Sequence, residues 1–171
     1  GCDLNRRWKR PSKVLHPTIY ATKQLCQNFA KERDLQIFCD FHGHSRRHNV
    51  FIFGNEQPNG RGCGERVFPL ALSRAHPDFS FKHCSFKVNR SKFNCGRVAV
   101  GSELSLKLSY TIEASFCGAD QGPNAGRHFT TFDFEAMGRA FGARLVDLLA
   151  DHGCAAARAR VDALERELVA M

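Results

Sequence analysis

The spacing of apolar positions changes several times along the chain, and each change marks a predicted element. From His16 to about Arg33 the apolar residues Ile19, Leu25, Cys26 and Phe29 recur near helical spacing behind Pro17 and Thr18, which predicts a first helix. Leu35 to Phe41 and Asn49 to Phe53 are short apolar runs that read as buried strands, with a polar turn from Gly43 to His48 between them. Asn55 to Glu65 is dense in Gly, Pro and Asn and predicts a surface loop, and Arg66 to Ala75 predicts a short helix stopped at Pro77. Three further strands are predicted at Cys84 to Val88, Arg97 to Val100 and Leu106 to Ser115. After a loop from Asp120 to His128, a long helix from about Asp133 to Asp151 aligns Phe134, Met137, Phe141, Leu145 and Leu148 as a core stripe. Beyond Gly153, Ala155 to Val169 reads as a second, more polar helix.

Strands alternating with helices predict an α/β fold with a mixed, largely parallel sheet flanked by helices. With 171 residues the chain suits one domain, which we place at residues 1–152, followed by a helical tail at 153–171. The first residue is Gly and the opening residues read as the middle of an element, so the expectation is that the natural start lies further upstream.

Charge narrows the partners. A net charge of +8 favours an acidic partner, and Arg6, Arg7, Lys9, Arg10 and Lys13 crowd the first thirteen positions. That cluster lacks the interleaved aromatic residues of a nucleic-acid platform and reads first as a solvated face, which makes nucleic acid an unfavoured partner. The eight cysteines are scattered without a Cys-x-x-Cys pair, as free thiols in a reducing compartment would be. No run approaches the roughly 20 apolar residues of a membrane span. The expectation is a cytoplasmic protein with no membrane partner.

Three segments carry candidate chemistry: Asp3-Leu-Asn-Arg-Arg-Trp8, Asp40-Phe-His-Gly-His-Ser-Arg-Arg-His48 and Ser109-Tyr-Thr-Ile-Glu-Ala-Ser115. A His at the end of a buried strand is well placed to ligate a metal, because the strand holds it rigidly while the next loop opens to solvent. Taken singly, His42, His44 or His48 is more often a surface or hydrogen-bonded histidine. Glu113 stands among Leu108, Tyr110, Ile112 and Phe116, where a buried carboxylate needs a partner or a task. It is either a strand-edge carboxylate facing water or an Arg, or a general base.

In this order the three segments resemble the metallocarboxypeptidases of the carboxypeptidase A superfamily, and specifically the cytosolic carboxypeptidase, tubulin deglutamylase-like branch. Leu15-His-Pro-Thr-Ile19, Phe38 to Gly54 and Ser85 to Lys92 extend the resemblance over roughly residues 1–150, with His-Gly-His-Ser its most specific part. The resemblance implies the C-terminal part of a metallocarboxypeptidase-like catalytic domain, incomplete at its N-terminus. It implies one zinc ion with His42 as a ligand, Asn5 and Arg6 on the substrate's terminal carboxylate, and Glu113 as the base acting on a metal-activated water. A guanidinium suits the carboxylate because its planar fork binds both oxygens. His44 is expected to line the substrate channel, and Arg97 is the candidate for an acidic substrate side chain, with a plain salt-bridging or solvated role the alternative. The implied substrates are acidic, glutamate-ended protein tails such as those of tubulin.

The sequence departs from that pattern in three places. A catalytic zinc needs three protein ligands, yet none of the eight histidines has Glu three residues later, so the His-x-x-Glu pair is expected upstream of this chain. Where the branch has Trp-Arg-Glu, this chain reads Gly101-Ser-Glu103, without the basic residue. Tyr20 and Tyr110 are the only tyrosines, and neither matches the mobile tyrosine of the digestive enzymes. The chain alone is therefore expected to be inactive, and a non-catalytic module that binds acidic tails is the alternative function.

Overall fold

The computed structural model describes residues 1–56, 63–149 and 155–171. Most of the predicted surface loop at Asn55 to Glu65, the end of the predicted long helix at Asp151, and Gly153 lie outside the described residues. The elements are α1 (Pro17–Glu32), β1 (Ile37–His44), β2 (Val50–Phe53), α2 (Gly64–Ala75), α3 (Gly96–Glu103), β3 (Leu108–Ser115), α4 (Thr131–Leu149) and α5 (Ala155–Ala170). The sheet has the order β1-β3-β2 and is mixed: β1 runs parallel to β3 over eight residues, and β2 antiparallel to β3 over four. The parallel pairing is the longer, as the sequence predicts.

Alternation along the strands gives the sheet two unlike faces. Cys39, Val50, Ile52, Tyr110, Ile112 and Ala114 point to one side, where Phe68 and Leu72 of α2 and Met137 of α4 complete the main core. Each fully buried side chain of this kind contributes about 1.5–3 kcal/mol. The opposite face carries Phe38, Asp40, His42 and His44 on β1, Ser109, Thr111 and Glu113 on β3, and Phe51 and Phe53 on β2. Its Phe38 end is closed by a second cluster of Trp8, Ala99 and Val100, with Ile19 and Cys26 of α1 behind them. Its His42 end is open.

Pro69 sits inside α2, so the helix lacks the N–H that would bond the carbonyl of Glu65. The phenol of Tyr110, fully buried on β3, donates to that carbonyl at 2.9 Å and fastens α2 to the sheet through the gap. Thr130 immediately precedes α4: its backbone N–H and its hydroxyl both donate to Asp133 Oδ2, at 2.7 and 2.6 Å. On the far side of α2, Val67 and Leu70 pack against Leu164 and Val161 of α5, and Arg74 pairs with Glu167.

Two predicted strands are corrected. Arg97 to Val100 is helical, the first half of α3, although Val98 and Val100 are good strand formers. The helix forms here because it fits face to face on the sheet: a Cβ on Gly96 would come within 3.0 Å of Trp8, and one on Gly101 within 2.7 Å of Ser109. Cys84 to Val88 is extended but among the described residues makes a single bridge, Ser85 to Phe53, beside β2. The predicted turn from Gly43 is shorter than expected, because Gly43 and His44 continue β1 opposite Ala114 and Ser115. Among the described residues no helix is long and apolar enough to cross a membrane.

Candidate active site

The register sets His42 directly opposite Glu113 on β3, and Phe51 opposite Glu113 from β2. Two histidines flank the Glu113 carboxylate, which is 12% exposed: His44 Nδ1 lies 3.3 Å from Oε2 and His42 Nδ1 3.9 Å from Oε1. His42 Nε2 lies 3.0 Å from Asp40 Oδ2, two residues earlier on the same face. This answers the question the sequence raises about a carboxylate in an apolar strand. Glu113 faces away from Tyr110 and Ile112, into a polar site.

Asn5 joins the N-terminal segment to both flanks of that site. It lies in a 3₁₀ turn, Leu4–Arg6, capped by Asp3, whose carboxylate accepts from the Asn5 backbone N–H at 2.9 Å. Its side-chain oxygen accepts from the Gly96 N–H that opens α3, and its amide nitrogen donates to Asp40 Oδ2 at 3.3 Å and approaches His42 Nε2 at 3.4 Å. Arg6 follows with its guanidinium on the Asn5 carbonyl at 3.0 Å, half exposed beside the site.

These groups open on a cavity of about 600 Å³. Asn5, Arg6, His42, His44, Arg97 and Glu113 all line it, so every site residue expected from the sequence is brought to one place. Arg97 is only 5% exposed: its Nε donates to the Gly54 carbonyl at 3.2 Å and its guanidinium lies over the Phe53 ring at 5.7 Å. Burial lowers its pKa from the ordinary guanidinium value, against the opposing influence of Cys95 and Glu113. Arg47, Lys87 and Lys92 also line the cavity, where the carboxylates are Asp3 and Glu113, so its charge is predominantly positive. Sequence reasoning missed Asp40, although its alternation with His42 and His44 places it on their face. It also missed Arg47, Lys87 and Lys92, although they fall within the very segments that resemble the family.

The described residues do not hold a catalytic metal by themselves. A catalytic zinc takes three protein ligands, and among the described residues no group of three or more His, Cys, Asp or Glu side chains could hold an ion. The Asp40 and Glu113 carboxylates beside His42 are occupied with the Asn5 amide and the His44 ring.

No protein-family profile matches the chain. Solved structures share its fold: a metallo-carboxypeptidase from Pseudomonas aeruginosa in complex with (2-guanidinoethylmercapto)succinic acid superposes with a TM-score of 0.72 at 24% identity, over 88% of this chain and 40% of that one. A metallo-carboxypeptidase from Burkholderia cenocepacia gives 0.70 at 23%, over 85% and 38%. The fold is thus that of the C-terminal part of a metallocarboxypeptidase catalytic domain. Sequence then gives the branch. Cytosolic carboxypeptidase 2 of Danio rerio is 41% identical over 150 residues, 86% of this chain, and cytosolic carboxypeptidase 1 of Homo sapiens 41% over 156 residues, 82% of it. The chain belongs to the cytosolic carboxypeptidase family. It spans 21% of the length of the former relative and 13% of the latter.

Proposed function

We propose that this chain contributes the substrate-holding and proton-transferring half of a zinc metallocarboxypeptidase site that removes acidic residues from protein C-termini. The observation that carries the reading is the register of His42 against Glu113 at the mouth of a cavity rich in Arg and Lys. Arg6, beside Asn5, takes the terminal carboxylate of the substrate. The fixed positive charge of Arg97, Arg47, Lys87 and Lys92 favours a glutamate side chain over a neutral or basic one. Glu113 accepts a proton from the attacking water and returns it to the departing amine, so the peptide bond is cleaved without net change at the carboxylate. His42 is one ligand of one zinc ion whose two other ligands come from outside this chain. Tails such as those of tubulin, in the cytoplasm, have the chemistry the cavity fits.

The test is hydrolysis of a glutamate-ended peptide by a protein that joins this chain to the two further ligands. Glu113→Gln keeps the shape and removes the base, and it is expected to lower kcat by a factor on the order of 10²–10⁴. Full activity in that variant would refute the assignment. The chain by itself is expected neither to bind zinc tightly nor to hydrolyse peptide.

One observation favours a second reading, a non-catalytic module for acidic tails: five Arg and Lys side chains line the cavity against two carboxylates. A His-x-x-Glu pair upstream selects the enzyme. Its absence, with micromolar binding of acidic peptides retained, selects the module.

A further inference from the structure

The sheet face that carries the cavity has a direction. It is closed at its Phe38 end by Trp8, Ala99 and Val100 and open at its His42 end, so a protein tail enters C-terminus first and leaves the rest of its chain on the open side. Paired residues across the three strands form rungs that mark positions along this path. Phe53 shares a rung with Thr111 and Asp40, and Phe51 shares the next, nearer the open end, with Glu113 and His42. Arg97 lies over the Phe53 ring, and Arg47 lies over the Phe51 ring at 5.5 Å. Both are fastened to backbone: Arg97 Nε donates to the Gly54 carbonyl and Arg47 Nη1 to the His83 carbonyl, each at 3.2 Å. Successive rungs on one face are about 6.5 Å apart, so two guanidiniums fixed in this way serve different residues of a bound tail.

We propose that Arg47 reads the residue before the scissile bond and makes the site selective for tails that end in two successive acidic residues. The inference rests on the peptidase reading above, in which Glu113 faces the bond to be cut. Arg97, and Arg6 beside the Asn5 amide on Asp40, lie one rung further inward and hold the last residue. The residue before the bond is then on the open side, next to Arg47. Among the described residues no carboxylate pairs with Arg47, whose contacts are the His83 carbonyl and the Phe51 ring. One N–H is engaged by the carbonyl, and the rest of the planar fork is left for a carboxylate, which it can bind through both oxygens. The aromatic face beneath it fixes its position, because a weakly hydrated guanidinium stacks there readily. Lys87 and Lys92 on the same cavity are point charges on flexible stems, which attract an acidic chain without selecting one position of it.

Peptides of one length that end in Glu-Glu, Ala-Glu, Lys-Glu or Glu-Ala, with neutral residues elsewhere, test it in two assays. The first is fluorescence anisotropy with the 171-residue chain in dilute solution. Exchanging the penultimate Glu for Ala is expected to weaken binding about tenfold. Arg47 is exposed, so Arg47→Gln is expected to leave the circular dichroism spectrum unchanged. In that variant the penultimate exchange should weaken binding less than twofold, while exchange of the last Glu weakens it as much as before. Arg47→Glu is expected to reverse the order and favour Lys-Glu over Glu-Glu, a gain that a misfolded protein cannot give. Penultimate discrimination that survives in Arg47→Gln, or equal losses at both positions, would overturn the proposal. The second assay is steady-state hydrolysis by the protein carrying the complete metal site, where Arg47→Gln is expected to lower kcat/KM about tenfold for Glu-Glu and less than twofold for Ala-Glu. An unchanged ratio between those two peptides, with hydrolysis intact, would overturn the role of Arg47 alone. Hydrolysis absent already from the unsubstituted protein would overturn the peptidase reading, and the binding series then decides by itself whether Arg47 reads the second-to-last residue.

Discussion

Cys39 on β1 and Cys84 beside β2 belong to the packed face of the sheet, and burial pushes both thiols up to about 12, with Asp40 adding to the effect at Cys39. At pH 8 the reactive thiolate of either is on the order of one part in ten thousand. Brief treatment with iodoacetamide is therefore expected to label the exposed Cys2 and Cys117 and to spare Cys39 and Cys84, as read by peptide mass spectrometry. Early label on Cys39 would contradict the packing. The same burial has a thermodynamic side. These groups are neutral when folded, so their contribution is intact below the ordinary thiol range and is lost as pH rises through and above it, and buried Tyr110, also shifted upward by desolvation, acts in the same sense. Thermal unfolding followed by circular dichroism is expected to show a falling midpoint on the alkaline side. At this scale the sequence was informative where a residue was anomalous. Glu113 in an apolar strand signalled a polar site, whereas the cations Lys87 and Lys92 gave no such signal, because a surface lysine is ordinary until the fold brings it to the lining of a cavity.

Among the elements, α2 and α3 meet the sheet by close approaches rather than by generic packing. Replacing Tyr110 by Phe leaves the Glu65 carbonyl, which Pro69 cannot serve, without a donor, and should cost about 1–3 kcal/mol in a denaturant titration. On the other face, Ser109 donates to the Arg97 carbonyl at 2.6 Å, and Gly101→Val would drive a side chain into Ser109 where a single Cβ already comes within 2.7 Å. Overpacking of that kind typically costs 1–3 kcal/mol. Because α3 carries Arg97, the same change should also weaken binding of glutamate-ended peptides, a coupling that isothermal calorimetry can read. The helices α1, α2, α4 and α5 and the three sheet strands were legible because their periods are long or their apolar runs unbroken. Arg97 to Val100 was not: four residues with two valines satisfy strand propensity, and what makes them helical is the fit of Gly96 and Gly101 against Trp8 and Ser109, which no local pattern encodes. The end of β1 was hidden for a related reason. Gly43 and His44 read as a turn in isolation and extend only because Ala114 and Ser115 of β3 lie alongside.

Over the whole molecule the charge is uneven in a useful way. Of the net +8, a concentrated share gathers around one cavity, so association with acidic peptides should be fast and should weaken steeply with ionic strength, while a neutral peptide of the same length shows little of either effect. Fluorescence anisotropy across a salt series separates the two. The order of the sheet has another consequence. β3 is paired on both sides and β2 has a neighbouring chain at Phe79 and Ser85, but β1 is an edge, eight residues long, with Phe41 61% exposed on it and Phe116 70% exposed next to it. Among the described residues the outer side of β1 has no strand partner, and an open edge that carries an exposed phenylalanine is a template for another copy of itself. Purified in isolation, this chain should be tractable when dilute and should come out of solution on concentration, with light scattering growing faster than linearly. Phe41→Lys, a charge on that border, should widen the workable range while leaving the circular dichroism spectrum unchanged.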